Sequence, residues 1–422
     1  MRGTTLFLIL NKINLEHKMK INDIFKGKEI ETSSHKDSRT PTMLYINLDE
    51  KCNENCVFCV VKGENQGKFG SMSKKEAKRI IKDFINTGGK NIVFTGGEPT
   101  LRNDLPEIIE YAEQFKTLHS ISIITNGARI SDEKCLNSLI NADKKNIINF
   151  CISLHSHKEK ISELLTRTKG TFKKTIAGIE NVIKKGKRLS IYQVITSTNY
   201  QDLLGFVKFL HKNYPQIKDV TFAYPFPQGN ALLNDWIYMK LSSLRPHLLK
   251  ALKFLEKEKY QVNIASCGQF PLCALPGFEE KVLDPLFWSE ANISGVVGEK
   301  SFHEFEMMSK EWIDQYKNKN KKCNQCLLNQ YCQGFWKKYI DLFGFDGIQP
   351  INQDNFKGNK IKLSLTNEKH VQKIIDKIKK DKLNLIILKS FSAGYLKKLT
   401  GFLNKNRILT VIIYQNNALY PK

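Results

Sequence analysis

Three cysteines fall within eight residues, Cys52-Asn53-Glu54-Asn55-Cys56-Val57-Phe58-Cys59, spaced C-x3-C-x2-C. Thiolates are the soft ligands of zinc and of iron–sulfur clusters. Three of them cannot close a four-cysteine site. On a cubane they leave one iron without a protein ligand, and an open metal position is where chemistry takes place. A zinc site would show paired Cys/His ligands, and no nearby His or fourth Cys completes such a pair. Three buried thiols without any metal are the other alternative.

The elements that must hold this loop alternate from residue 42 onward. Strand-like runs cover 43–48, 91–95, 120–125, 148–154, 189–195 and 219–224, and the first leads straight into the cysteine loop. Helix-like segments fall between them, at 105–115, 132–141, 172–185 and 202–211, with one opened by the capping-box run Ser73-Lys74-Lys75-Glu76. Six βα units imply an α/β fold with a parallel sheet. Curled into a partial (β/α)6 TIM-like barrel, the sheet carries its functional loops at the carboxyl ends of the strands. The cysteine loop is at that end.

Later strands end in further candidates. The second ends in Thr95-Gly96-Gly97-Glu98-Pro99, where two glycines allow close backbone approach and Glu98 can pair with an ammonium. The third ends in the turn Thr125-Asn126-Gly127, with Asn126 read as loop structure. The fourth reads Cys151-Ile152-Ser153-Leu154-His155, and a period of two puts Cys151, Ser153 and His155 on one face. His155 is open to a substrate or a structural role, whereas Cys151 and the helical Cys135 are read as core. After the sixth strand, the loop Tyr224-Pro225-Phe226-Pro227-Gln228-Gly229-Asn230 either lines the barrel mouth or turns the chain into the next domain. A second cysteine group follows: Cys267-x5-Cys273, then Cys323-x2-Cys326-x5-Cys332.

The C-x3-C-x2-C spacing with Phe58 before its last cysteine resembles the radical S-adenosylmethionine (radical SAM) superfamily, over roughly residues 42–340. The resemblance implies a [4Fe–4S] cluster on Cys52, Cys56 and Cys59, whose open iron chelates S-adenosylmethionine. It implies that Gly96, Gly97, Glu98 and Pro99 hold the amino group of the methionine moiety. Ser153 and Arg167 match positions that contact S-adenosylmethionine in relatives with auxiliary clusters. Where many relatives carry Asp-Gly, this chain has His155-Ser156-His157. The distal cysteines resemble the auxiliary-cluster domain called SPASM, or its shorter form, twitch. The full SPASM pattern has another cysteine where Trp336 stands, and one more later. Five cysteines fill one four-cysteine site: a second [4Fe–4S] cluster on Cys273, Cys323, Cys326 and Cys332, with Cys267 as spare or substitute. Structural zinc would satisfy the same thiolates.

The implied activity is reductive cleavage of S-adenosylmethionine to a 5′-deoxyadenosyl radical that removes hydrogen from a substrate, fed by a low-potential electron donor. No residue acting on the substrate is assigned. A peptide or protein substrate comes first, as in maturases. A tRNA base or a cofactor precursor is the alternative, and a non-catalytic iron–sulfur scaffold or redox relay the third. Gly96-Gly97-Glu98-Pro99 and Arg167 speak against the last, since a scaffold needs no S-adenosylmethionine site.

The chain has 422 residues and a net charge of +24, which invites a nucleic-acid partner. Lysine supplies most of that charge, whereas phosphate and base recognition lean on arginine forks. Lysine runs such as 317–322 read as solvated faces. Clustered cysteines in a long chain point to metal in a reducing compartment, hence a cytoplasmic protein. The apolar run 6–10 is too short for a signal-peptide core, and no membrane span is expected. The expected division is an N-terminal extension (1–41), the barrel core (42–258), the auxiliary-cluster domain (259–349) and a small α/β appendage (350–422).

Overall fold

The computed structural model describes residues 6–10, 43–67, 70–264, 270–278, 281, 293–297, 314–326, 329, 332–352, 360–365, 367–381, 385–391, 393–405 and 410–414. After a first strand, β1 (Leu6–Leu10), the barrel strands follow in order: β2 (Met43–Asn47), β3 (Asn91–Thr95), β4 (Ser120–Thr125), β5 (Ile148–Ser153), β6 (Arg188–Val194) and β7 (Asp219–Ala223). These are the six expected strands, each paired in parallel with its successor. The sheet is wider by two. β8 (Gln261–Ile264) extends it beyond β7, and β9 (Ile293–Val297) pairs in parallel with β2 at the other edge. The result is an eight-stranded parallel sheet forming a partial TIM-like barrel.

Helices cover its outer face. The first, α1 (Lys74–Asn86), starts where Ser73 Oγ accepts the Glu76 amide, 3.1 Å away, and it buries Ala77, Ile80, Ile81, Phe84 and Ile85 at helical spacing. Removing such a cap costs on the order of 1 kcal/mol. Among the helices outside the expected segments are α2 (Glu159–Thr166) and α3 (Leu241–Lys257), which precedes β8.

The strands explain why a cavity exists. Ile46, Phe94, Ile123, Phe150, Ile152, Ile191, Val220 and Phe222 are fully buried in the main core. Residues pointing the other way, Tyr45, Ser122, Cys151, Ser153, Tyr192, Thr221 and Asn263, are only half-buried. A closed eightfold barrel fills its interior with bulky branched side chains. Here alternate residues of central strands are only half-buried, so the interior is an incompletely filled bore with a largely polar lining, Val93, Ile124 and Val194 among it and Arg188 and Asp219 at its lower end.

At the chain ends, β10 (Lys360–Leu365), β11 (Leu385–Phe391) and β12 (Thr410–Tyr414) form a parallel sheet with two helices, Glu368–Asp381 and Ala393–Lys405, between its strands. β1 pairs in parallel with β12. Residues 6–10 therefore belong to the sheet of the C-terminal appendage and do not stand apart as an extension. Among the described residues no helix is long and apolar enough to cross a membrane.

Candidate cluster site

The cysteine loop leaves β2 and runs over the bore. Its backbone is held from two sides. Val57 N donates to Leu165 O at 2.8 Å and Asn55 N to Thr166 O at 3.1 Å, at the end of α2. From beyond β7, Asn230 N donates to Cys59 O at 2.8 Å, Asn230 Nδ2 to Cys56 O at 2.9 Å, and Asn234 Nδ2 to Val57 O at 3.0 Å. Gly229, at φ +57°, makes this approach possible. A side chain there would meet the Cys59 and Lys62 carbonyls at 2.5 Å. The loop 224–230 thus clamps the cysteine loop, and its Phe226 also stacks edge-on against Trp336 at 5.1 Å, tying the barrel to the distal segment. Asn230 and Asn234 carried no local signal in the sequence, because they act on residues about 175 positions away.

The three thiols are held in a largely buried loop. Glu54 N donates to Cys52 Sγ at 3.4 Å. Burial pushes the Cys52 thiol up to about 11, and burial with the charges of Glu54, Cys59 and Cys52 pushes Cys56 far above its ordinary value. Such thiols become ligands only when a metal centre takes up their charge. Among the described residues no three Cys, His, Asp or Glu side chains close around a single ion. Phe58 packs against Val194 and Ala223 and edge-on to the His155 ring at 4.5 Å, which puts the loop's aromatic over the bore.

The Gly96-Gly97-Glu98-Pro99 turn lies against the backbone that leads into the loop. Gly97 N donates to Asp49 O at 2.6 Å and Glu98 N to Lys51 O at 2.8 Å. A Cβ on Gly97 would sit 2.2 Å from Lys51 O, and one on Gly96, at φ +131°, 2.2 Å from Asn47 Oδ1. The Glu98 side chain is engaged by the protein itself. It is 1% exposed. Its Oε1 accepts from Thr100 N (3.0 Å), Thr100 Oγ1 (2.6 Å) and Thr125 Oγ1 (2.7 Å), and its Oε2 from Asn126 N (2.7 Å). Four protein donors already engage the carboxylate, so it fastens the end of β3 to the end of β4. The unfilled acceptor at this corner is Asn47 Oδ1, buried without a partner. Asn126 shapes its loop and also touches the cysteine loop: its Nδ2 donates to Asn53 Oδ1 at 2.8 Å and to Cys52 Sγ at 4.0 Å, and its Oδ1 accepts the Ala128 amide at 3.0 Å.

Ser153 faces the bore, half-buried. Arg167 is exposed at the end of α2, at φ +51°, and donates to Asn234 Oδ1 at 2.7 Å. It thereby joins the clamp, and no hydrogen bond links it to Ser153. His155 is structural. It is 3% exposed, its Nδ1 accepts the Val194 amide at 3.2 Å, and burial lowers it to about 3. The ring is therefore neutral with its proton on Nε2. Cys135 packs against the core as expected. Cys151 instead faces the bore.

Cys273, Cys323, Cys326 and Cys332 line one cavity, together with Lys319 and Phe335. Backbone amides point at two of the sulfurs: Gly334 N at Cys332 Sγ and Ile351 N at Cys326 Sγ, both at 3.3 Å. N–H donors of this kind stabilise thiolates and tune clusters. Cys267 lies outside the described residues. Trp336, at the position of the absent SPASM cysteine, is buried beneath the Lys317 ammonium, 4.2 Å from its ring.

Residues 46–210 match the family model of the radical SAM superfamily. A probable GTP 3′,8-cyclase of Methanopyrus kandleri is 32% identical over 225 residues, covering 52% of this chain and 69% of that protein. Molybdenum cofactor biosynthesis protein 1 of Drosophila melanogaster is 32% identical over 213 residues, 50% of this chain but only 36% of its own length. Among solved structures, Streptococcus suis SuiB bound to precursor peptide SuiA aligns with TM-score 0.52 at 17% identity, over 80% of each chain. The structure of anSMEcpe with bound AdoMet aligns with TM-score 0.51 at 16% identity, over 75% of this chain and 94% of that one. Those two likenesses concern the fold. The family match spans the strands that carry both the cysteine loop and the Gly-Gly-Glu-Pro turn, and the chain belongs to the radical SAM superfamily, enzymes that work with a [4Fe–4S] cluster and S-adenosylmethionine.

Proposed function

We propose that this enzyme cleaves S-adenosylmethionine reductively and abstracts hydrogen from a peptide or protein substrate. When bound, the cluster and S-adenosylmethionine supply a 5′-deoxyadenosyl radical, while the protein orients reactants and excludes side reactions. Cys52, Cys56 and Cys59 are assigned as iron ligands, held in place by Asn230 and Asn234. Asn47 Oδ1 and the backbone of Gly96, Gly97, Glu98 and Pro99 offer acceptors to the methionine ammonium. Ser153 and Arg167 are assigned to its carboxylate end. Cys273, Cys323, Cys326 and Cys332 are assigned to an auxiliary cluster, and a low-potential electron donor is the required partner.

One observation carries the substrate class: above its floor the bore holds no charged side chain. Tyr45, Ser122, Cys151, Ser153, Tyr192, Thr221 and Asn263 line it. Among the inward positions of the described barrel strands β2–β8, the one cation is Arg188, at the lower rim and turned to Asn146 O. A nucleoside triphosphate needs cation clamps on its phosphates, so the GTP reading raised by the named cyclases lacks support in this bore. An exposed peptide side chain fits a neutral, hydrogen-bonding channel.

The test is anaerobic reconstitution with S-adenosylmethionine and a reductant, comparing 5′-deoxyadenosine formation with GTP and with a short synthetic peptide. Stimulation by the peptide is expected. Stimulation by GTP with none by the peptide would overturn the substrate assignment and leave the superfamily intact.

A further inference from the structure

The floor of the bore carries a carboxylate that no cation of the described chain engages. Asp219 opens β7, below Thr221 on the inward face. Asn263 Nδ2 donates to its Oδ1 at 3.0 Å. Among the described residues no Lys, Arg or His forms an ion pair with it, in a chain with 66 Lys and Arg against 42 Asp and Glu. The nearby cations are turned elsewhere: Arg188 to Asn146 O, and Lys218 over the Tyr260 ring at 4.5 Å. The other inward groups at this level are neutral. Ser190 Oγ accepts from Asn149 Nδ2 at 3.0 Å and also hydrogen-bonds the Cys151 thiol. Burial pushes the Asp219 carboxyl up to about 6, with only Asn263 acting against that rise. A half-buried carboxylate left without a counter-charge is stabilised when something brings one.

Depth fits the length of a basic side chain. Cys151 lies two residues below Ser153 on β5, roughly 7 Å at strand spacing. A carbon beside Ser153 could thus carry an ammonium or guanidinium down to the floor.

We propose that Asp219 receives a cationic group of the substrate, the ammonium or guanidinium of a basic side chain, and so selects which residue is presented at the top of the bore. This rests on the peptide reading above. Asp219 acts as a specificity residue. It pairs with the cation through a charge-assisted hydrogen bond and takes no part in bond making.

Cys151 is the reporter. In the reconstituted holoenzyme, its modification by methyl methanethiosulfonate is followed by peptide mapping, with n-butylammonium, n-butylguanidinium or n-butanol present. The cations should protect at about tenfold lower concentration than the alcohol, as a charge-assisted contact implies. Asp219→Asn, which keeps the Asn263 contact, should erase that preference. Equal protection by n-butanol, or a preference kept in Asp219→Asn, would overturn the proposal. Should Cys151 prove unreactive, the same comparison is made with a lysine peptide and its norleucine twin, read as half-saturating concentrations for 5′-deoxyadenosine formation. An advantage for lysine lost in Asp219→Asn supports the proposal, and equal values for the twins overturn it. Protection without any 5′-deoxyadenosine would refute the radical reading alone.

Discussion

Glu98 separates two accounts of the Gly-Gly-Glu-Pro turn. If its carboxylate met the methionine ammonium, replacing it would weaken S-adenosylmethionine binding and leave the empty protein as stable as before. The hydrogen bonds give a different result. Oε2 takes the Asn126 amide and Oε1 takes the Thr100 amide and two threonine hydroxyls, in a site 1% exposed. In Glu98→Ala the hydroxyls can turn to other acceptors, but the two backbone N–H groups cannot. Leaving a buried donor unsatisfied costs about 1–3 kcal/mol, so the variant should lose about 2–6 kcal/mol of folding stability. Glu98→Gln is milder. With its oxygen kept at the Oε1 position, its amide faces the Asn126 N–H, donor against donor, for a loss of about 1–3 kcal/mol. Urea unfolding of the cluster-free protein measures both. If Glu98→Gln unfolds within about 0.5 kcal/mol of wild type while its affinity for S-adenosylmethionine falls, the carboxylate is a ligand and the reasoning from its four donors is wrong.

Other expectations concern the clamp, the buried histidine and the distal thiols. Asn234→Ala removes the Val57 contact and frees Arg167, so it should lower iron retained per chain and speed cluster loss in air, with little change in far-ultraviolet circular dichroism. Iron content equal to wild type would make the clamp dispensable. His155 is lowered from an ordinary 6.5 to about 3. Between those values the unfolded chain binds a proton that the folded chain does not, so the neutral ring's contribution is fully present above 6.5 and shrinks as pH falls. Relative to His155→Gln, wild type should lose up to about 1.4 kcal/mol per pH unit across that window, and parallel stability curves would contradict this. With Cys52, Cys56 and Cys59 all changed to Ala, the distal site should still hold about four irons and four sulfides per chain. Stoichiometric zinc with little iron would replace the auxiliary cluster by a structural metal.

Much of this architecture is legible in the sequence where the signal is local. The six strands from β2 to β7 show as apolar runs punctuated by turns, and the Ser73 cap announces α1. Elements defined by distant partners do not show. β8 has four residues and reads as a strand only because β7 lies beside it. β1 pairs with residues about four hundred positions away. At the site, the cysteine loop is legible from ligand chemistry, and the glycines from the close approach they permit. The four donors on Glu98 do not show in the sequence, because Thr125 and Asn126 lie one strand away. Asn47, Asn230 and Asn234 look like ordinary loop asparagines. Their roles come from the backbone carbonyls and the glycine they face, which only the folded chain brings near.

The central claim is that Cys52, Cys56 and Cys59 hold the cluster on which S-adenosylmethionine is cleaved. Its most direct test is a side-by-side assay of 5′-deoxyadenosine from anaerobically reconstituted wild type and the Cys52→Ala/Cys56→Ala/Cys59→Ala variant, with S-adenosylmethionine and dithionite. The account predicts 5′-deoxyadenosine from wild type and none above background from the variant, although the variant keeps its distal iron. Undiminished 5′-deoxyadenosine from the variant, or none from a wild type carrying its full iron, would contradict it.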